Sequence, residues 1–582
     1  MRVDRFRNNV AMDCAQALKT QFLRLFGDKW VCIGLIKNHL RSWIFGSFRK
    51  SPLLRYFGIV LLGISDLTIG FSQNPSVAII GGGPSGLVSA KEARQCGLIP
   101  TVFEKGDSVG GLWKSNGGKV WESLRINNSY YACSFSDYEW EKPPNDFPNQ
   151  KEVYQYLCSY ARAFHIEDDV LLNSQVTKVE REGSKWRLEW TGPANQQESS
   201  VFDFVIVCSG IYSQGFIPEI PGLETFSGRM IHGQDYKTPD IFEGKCVGVI
   251  GNAFSGCEIA ADIAKTAEKT FHIFNRAKWI SPRYLKDKQS DRTLPLDLIC
   301  SRDFRSKFVD RDPFVWDEGK SQRIYNFYQK QVKLYPSLDF PVTLKDLLFA
   351  TSDEYLPEIQ SGKIIPKLGS LIQIDKNTLF LSDDSTIEAD ALIFCTGYRT
   401  ELPFFNAHTQ DQLNFQKDDP LQPLALYKTV FHPKFPNMAF IGLSRFPIFF
   451  GPIELQARLA CMTFSGKIPL PSETEMEEGI REELKIRNMN PRPQFVHDDF
   501  IKFSDCLAKY IGALPDFTAL KQEDPVLYKK VWDGPFTTAS FRLVGFGSNR
   551  EVALKIIDDL AQKVPTPFLS YEYVYEKSKE NF

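Results

Sequence analysis

Apolar and polar positions fall in blocks along this chain, and the blocks repeat. "SVAII" (76–80) is a short apolar run bounded by Pro75 and a glycine cluster, the pattern of a buried strand. "GLVSAKEARQC" (86–96) then spaces its apolar residues as a helix does. Gly97 fits the helix stop, and "PTVFEK" (100–105) predicts the next strand. The same order recurs in "KCVGVI" (245–250), "SGCEIAADIAKTA" (255–267) and "KTFHIFNR" (269–276). Two βαβ units, each with its own glycine turn, predict two nucleotide-sized sites on two related domains.

Between the units lie a β-rich piece, "VTKVEREGSKWRLEW" (176–190), and the run "FDFVIVCSG" (202–210). "TIEADALIFCTGY" (386–398) repeats the plan of that run, an acidic-apolar strand closing on Cys-Ser/Thr-Gly. It is expected to mark the return of the chain to the first domain. The predicted fold is α/β, with two Rossmann-like dinucleotide-binding domains, the second inserted in the first, and a C-terminal extension. The expected boundaries are a leader at 1–75, the first domain at 76–240, the second at 241–385, the return at 386–470 and the extension at 471–582.

The leader differs from the rest. It is rich in Lys and Arg, then runs into "FGIVLLGISDLTIGF" (57–71), an apolar stretch interrupted by Asp66. That is short of the roughly 20 residues of a membrane span, yet it resembles a targeting or signal-anchor segment. Membrane association through this segment is one expectation and a disordered leader the other. The location is read as intracellular, at the endoplasmic reticulum membrane or in the cytoplasm. A net charge of −2 over 582 residues argues against a nucleic-acid partner. The 12 cysteines contain no CxxC, which suits a reducing compartment and leaves no redox or metal motif. The seven histidines never fall at i, i+4, so no metal is expected. Homo-oligomerisation stays open.

In the first turn Gly81 permits the tight bend, Gly83 lets backbone approach a pyrophosphate, and Gly86 allows helix to pack on strand. The helix N-terminus offers unpaired N–H groups to phosphate. Glu104, 18 residues past Gly86, can accept hydrogen bonds from two ribose hydroxyls, which fits FAD or NAD. The second turn keeps Gly251 and Gly256 but carries Ala253 in the middle, and Arg276 stands where the first site has an acid. An arginine there suits the 2′-phosphate of NADP.

Between the units, "FSGRMIHGQDYK" (226–237) has the pattern F-x-G-x-x-x-H-x-x-x-Y, carried by Phe226, Gly228, His232 and Tyr236. Here the chain resembles the flavin-containing monooxygenases. "GGLW" (110–113), "LRINNSYYACSFSDY" (124–138), "FCTGY" (394–398), "LYKTVFHP" (426–433), "ELQAR" (454–458) and "FRLVG" (541–545) extend the resemblance over about residues 76–550. It implies that NADPH reduces FAD, that O2 adds at flavin C4a, and that the hydroperoxide gives one oxygen to a soft nucleophile, an amine nitrogen or thioether sulfur of a small molecule. In such an enzyme the protein holds cofactors and excludes water while the flavin does the oxygen chemistry. The resemblance implies a catalytic Asn127 near flavin and nicotinamide. Its amide both donates and accepts. It adds Pro84, Ser85, Lys105, Gly111, Leu112, Trp113, Ser255, Thr396 and Gly397 to the cofactor-binding residues. His232 is expected to link the two domains rather than act as a base.

Two positions depart from the family, which usually has Gly at 253 and Asn at 254 where this chain has Ala253 and Phe254. Crowding there would loosen NADP+ and favour a second reading, an NADPH oxidase that leaks hydrogen peroxide. A third reading is an inactive flavoprotein used as a binding module, which the intact first turn opposes. Baeyer–Villiger relatives end the middle motif in Trp where Tyr236 stands, and disulfide reductases need the missing CxxC.

Overall fold

Strand β1 (Ser76–Ile80) is buried at four of its five residues, as an apolar run must be when helices cover both faces of a parallel sheet. Helix α1 (Pro84–Cys96) starts with proline at its first turn, where no N–H is needed. It stops at Gly97, whose φ of 85° lets its N–H close on Ala93 and Arg94. The chain then enters β2 (Ile99–Phe103), parallel to β1. The computed structural model describes residues 74–114, 117–141, 145–286, 293–308, 318–344, 347–497 and 499–564. The basic leader and the apolar run at 57–71 lie outside the described residues.

Two five-stranded parallel sheets organise the chain. In the first, β3 (Val170–Leu171) extends β2, β4 (Phe204–Val207) lies on the other side of β1, and β12 (Met438–Phe440) closes the edge. In the second, β7 (Cys246–Ile250) is central, flanked by β8 (Lys269–Phe274) and β10 (Ala391–Phe394). Beyond these lie β9 (Ile364–Leu368) and β6 (Arg229–His232). Helix α2 (Phe254–Ala264) follows β7 as α1 follows β1. Each domain also carries a three-stranded antiparallel sheet, within 175–202 in the first and 371–388 in the second.

The expected boundary at 386 moves. The run 386–398 does not open the return to the first domain, because its strand β10 pairs with β7 and β6 in the second sheet. Its likeness to 202–210 is one of role: each is the strand beside its own glycine strand. Asp203 accepts from the backbone N–H of Ser76 and Asp390 from that of Cys246, both at 2.8 Å. The chain rejoins the first sheet only at β12. The boundary at 240 moves as well, since β6 already belongs to the second sheet. The crossovers meet in a short antiparallel ribbon of β5 (Gln214–Gly215) and β11 (Tyr398–Arg399). His232 packs beside it, its Nε2 2.9 Å from the Gly397 carbonyl and its ring edge-on to Tyr398.

Three of the motifs that carried the resemblance meet away from both turns, in one buried charge cluster. Arg542 donates to Glu92 of α1 at 2.8 Å and to Glu454 of α3 (Phe450–Phe464) at 2.7 Å, lies 3.0 Å from Asp137, and reaches Ser136 through Nε at 2.7 Å. Lys91 pairs with Glu92 and Asp137, while Arg458 holds the Phe541 and Phe546 carbonyls. Burial alone would push the Glu92 carboxyl up. Arg542, Lys91 and Arg458 outweigh it and hold the group well below the usual carboxylate range. Three cations face three carboxylates, so removal of one would strand a buried charge at about 3–5 kcal/mol. "SFSDY", "ELQAR" and "FRLVG" therefore fasten the C-terminal extension to the first domain.

Candidate functional site: two glycine turns and an asparagine loop

Both turns have the same backbone. Gly81 and Gly251 lie at φ 112° and 101°, in the region that favours glycine. A Cβ on Gly86 would lie 1.8 Å from the Gly81 carbonyl, and one on Gly256 would lie 1.7 Å from that of Gly251. The first and last glycine of each turn are thus demanded by the fold itself. The middle residue is not. Gly83 and Ala253 are the N-caps of their helices at φ −79° and −71°, where any residue fits. A Cβ on Gly83 would only touch Gly111, at 3.5 Å.

Around the first turn, Gly111, Leu112 and Trp113 form a single 3-10 turn, and Gly110 N–H donates to the Gly82 carbonyl at 2.9 Å. Pro84, Ser85 and Gly86 are buried in the first turn of α1. Glu104 is buried and accepts from Gly82 N–H at 2.8 Å and Gly106 N–H at 2.7 Å. Each carboxylate oxygen keeps acceptor capacity for a sugar hydroxyl. Lys105, next to it, is exposed. Ser209 Oγ, in the CSG segment just past β4, is buried without a hydrogen-bond partner among the described residues. An orphaned hydroxyl beside a glycine turn and a preset carboxylate fit the adenosine half of FAD.

The second turn is walled differently. Asn252 donates to the Arg276 carbonyl at 2.6 Å, which fixes that backbone while the arginine side chain stays exposed. Ser255 is exposed at the N-terminus of α2, and Gly256 is buried behind it. Thr396 and Gly397 leave β10 here: Thr396 Oγ1 donates to the Phe216 carbonyl, and the Cys395 carbonyl approaches Gly251. Two cations that spacing did not reveal join Arg276. Lys278 lines, with Asn252 and Tyr328, a small cavity beside this turn. Its burial, with Arg445 and Arg276 near, lowers its ammonium to about 8. Arg445 sits over the Phe254 ring at 5.8 Å. No carboxylate pairs with Arg276, Lys278 or Arg445 among the described residues, which suits a phosphorylated coenzyme. Phe254 is itself packed, edge-on to Phe349 at 5.8 Å and near Phe495 at 6.5 Å.

Asn127 lies half-buried in the loop 125–129. Its Oδ1 accepts from Arg283 at 3.2 Å. Neither Arg283 nor Asp297, which holds Ser129 at the other end of the loop, stands in a recognisable pattern. A single Arg and a single Asp in loops carry no periodic signal.

A doubly dinucleotide-binding α/β oxidoreductase is the class that these two cradles define. The sequence profile of the flavin-binding monooxygenase-like family matches residues 74–566, and the chain belongs to that family. It is an oxidoreductase that uses FAD and NADPH. Relatives include an N-oxide-forming dimethylaniline monooxygenase 2 of Rattus norvegicus, 30% identical over 498 residues, 81% of this chain and 89% of the relative. A decarboxylating 4-hydroxybenzoate brominase of Marinomonas mediterranea is 29% identical over 491 residues, 81% of this chain and 90% of the relative. Among solved structures, the S-allyl-L-cysteine S-oxygenase of Allium sativum superposes with a TM-score of 0.56 at 23% identity, covering 84% of this chain and 99% of that one.

Proposed function

We propose that this enzyme transfers one oxygen atom of O2, by way of a flavin C4a-hydroperoxide, to an amine nitrogen or thioether sulfur of a small molecule. NADPH supplies the two electrons, and the second oxygen atom leaves as water. The observation that carries the reading is the pair of like turns with unlike walls: a preset carboxylate at Glu104, and the cations Arg276, Lys278 and Arg445 with no carboxylate partner among the described residues. The N-oxide-forming and S-oxygenase relatives support nitrogen and sulfur as acceptors. Asn127 is read as the catalytic amide and the residues of the two turns as the cofactor ligands. The protein binds, orients and dries the site.

The test is to purify the yellow protein and follow NADPH, O2, peroxide and product with a panel of amines and thioethers. N-oxide or sulfoxide formed in proportion to NADPH is expected. Peroxide alone would replace the reading with the uncoupled oxidase. Bromination of 4-hydroxybenzoate in the presence of bromide, without oxygenated product, would replace it with the brominase chemistry of the other relative. The reading includes membrane contact at the endoplasmic reticulum through the basic leader and residues 57–71. Carbonate-washed membranes should keep the full chain and release one starting at Asn74. Equal release would remove that part.

A further inference from the structure

The loop that carries Asn127 belongs to the first domain by chain order, yet residues of the second domain hold it at both ends. Arg283, which follows the strand Lys278–Ser281, is buried and spends its donors on three consecutive loop residues. Its Nε reaches the Ile126 carbonyl at 3.2 Å, and its Nη2 reaches the Arg125 carbonyl at 3.3 Å and Asn127 Oδ1 at 3.2 Å. The guanidinium is anchored in turn by Glu258 of α2 at 3.0 Å and Asp353 at 3.3 Å. Asp353 also accepts from the backbone N–H of Arg283 at 2.9 Å. At the other end Asp297, in the single turn Leu296–Ile299, accepts from the N–H and the hydroxyl of Ser129 at 2.9 and 2.8 Å.

We propose that Arg283, with Asp297, is a positioning residue that fixes the Asn127 amide with its oxygen on the guanidinium and its N–H2 left for a ligand. The inference rests on the reading of Asn127 above. An asparagine amide presents either end, and the hydrogen-bond network decides which. A guanidinium has donors only, so the end facing Arg283 must be the oxygen. Nδ2 has no acceptor among the described residues, and it is the end left for a ligand. Glu258 lies on the helix whose N-terminus closes the second turn, so one ion pair ties that helix to the asparagine loop. A lysine at 283 keeps the charge but cannot fork over three loop acceptors.

Arg283→Lys and Asn127→Ala are compared as FAD-loaded full-length proteins. Deuterium exchange of backbone amides in 125–129 reports the clamp, NADP+ titration of flavin absorbance reports affinity, and peroxide per NADPH reports coupling. Arg283→Lys should speed exchange in the loop about tenfold or more, raise peroxide several-fold, and leave the Kd for NADP+ within about twofold. Unchanged exchange and unchanged peroxide would overturn the clamp. If Arg283→Lys speeds exchange while Asn127→Ala leaves peroxide unchanged, the clamp stands and the catalytic reading of Asn127 fails. Should Arg283→Lys not fold, Asp297→Ala releases Ser129 without touching the Arg283 ion pairs. It should speed exchange at 128–129, and no change there would equally overturn the clamp.

Discussion

The two glycine turns share a backbone and differ in almost everything that faces a ligand. Gly81 and Gly251 need their positive φ, and Gly86 and Gly256 need their missing Cβ, whatever is bound. The residue between them answers only to the ligand, and there the two copies part, as Gly83 and Ala253. The walls part in the same way. Glu104 is locked by two backbone N–H groups before any sugar arrives, while Arg276 extends into solvent. Constraints set by packing are copied between the domains, and constraints set by the ligand are free to diverge. The first turn is lined by one carboxylate held by two backbone N–H groups; the second is lined by cations with no carboxylate partner among the described residues.

The largest effect should come from adding one methyl at the position packing demands. Gly86→Ala and Gly256→Ala each drive a Cβ into a carbonyl less than 2 Å away, and the expected cost is about 4 kcal/mol or more. Thermal unfolding and soluble yield should both collapse. Gly83→Ala should instead fold normally and lose flavin affinity only. If Gly86→Ala unfolds no earlier than Gly83→Ala, the division between packing and ligand glycines is wrong.

Glu104→Ala comes next. A ribose-binding carboxylate contributes about 1.5–3 kcal/mol per charged hydrogen bond, so the variant should purify largely as apoprotein. It also leaves Gly82 and Gly106 N–H without their acceptor. Glu104→Gln, which keeps an acceptor, should retain part of the flavin. Full occupancy with unchanged affinity in Glu104→Ala would end its assignment to the first site.

What the sequence disclosed follows the same line. The strand–turn–helix units were legible because the apolar runs and glycines serve backbone packing, and packing repeats with a period. The repeated Asp-to-Cys run was legible as a repeat but misled on placement. Likeness to 202–210 signals the same role in a domain, not membership of the same domain, and only pairing with β7 shows which sheet owns it. "ELQAR" and "FRLVG" were visible as motifs, yet their purpose, one neutralised charge cluster with Glu92 and Asp137, depends on contacts across up to 450 positions of chain. Lys278, Arg283, Asp297 and Arg445 were illegible for a related reason. Each is a lone charged residue in irregular backbone or at a strand end, and its partners come from elsewhere in the fold.

The cations of the second turn give smaller, graded effects. Arg276→Ala should raise the KM for NADPH and leave that for NADH little changed. The loss of preference should be roughly 10- to 100-fold, from about 1.5–3 kcal/mol for one charged contact. An unaltered NADPH/NADH ratio would make Arg276 a plain strand-end arginine. Lys278 adds a pH dependence of definite sign. Burial lowers it to about 8, so it is charged below that value and loses its charge as pH rises through it. NADP+ affinity should therefore fall up to about tenfold between about pH 7 and pH 9, more than NAD+ affinity does, and the difference should vanish in Lys278→Met. Flavin retention at the first site should stay flat over that range. A parallel decline for both coenzymes would point to a group outside the phosphate site.

The smallest expected effect belongs to the two residues that set this turn apart, Ala253 and Phe254. The methyl of Ala253 costs the backbone nothing at φ −71°, so any penalty falls on the approach of the pyrophosphate. Phe254 is different. Its ring is wedged against Phe349 and Phe495 beneath the Arg445 guanidinium, and Gln494 pins Phe349 through both its N–H and its carbonyl. The aromatic residue therefore anchors the C-terminal extension to the second turn. Replacing it with asparagine should cost about 1–3 kcal/mol of stability whether or not coupling improves. The two single variants separate these effects. Ala253→Gly should tighten NADP+ by a few-fold, about 0.5–1 kcal/mol, and lower the peroxide released per NADPH without changing the melting temperature. Phe254→Asn should lower the melting temperature and alter the Arg445 contribution to coenzyme binding. If Ala253→Gly changes neither affinity nor peroxide yield, the methyl is tolerated packing, and the leak attributed to this turn has no source there.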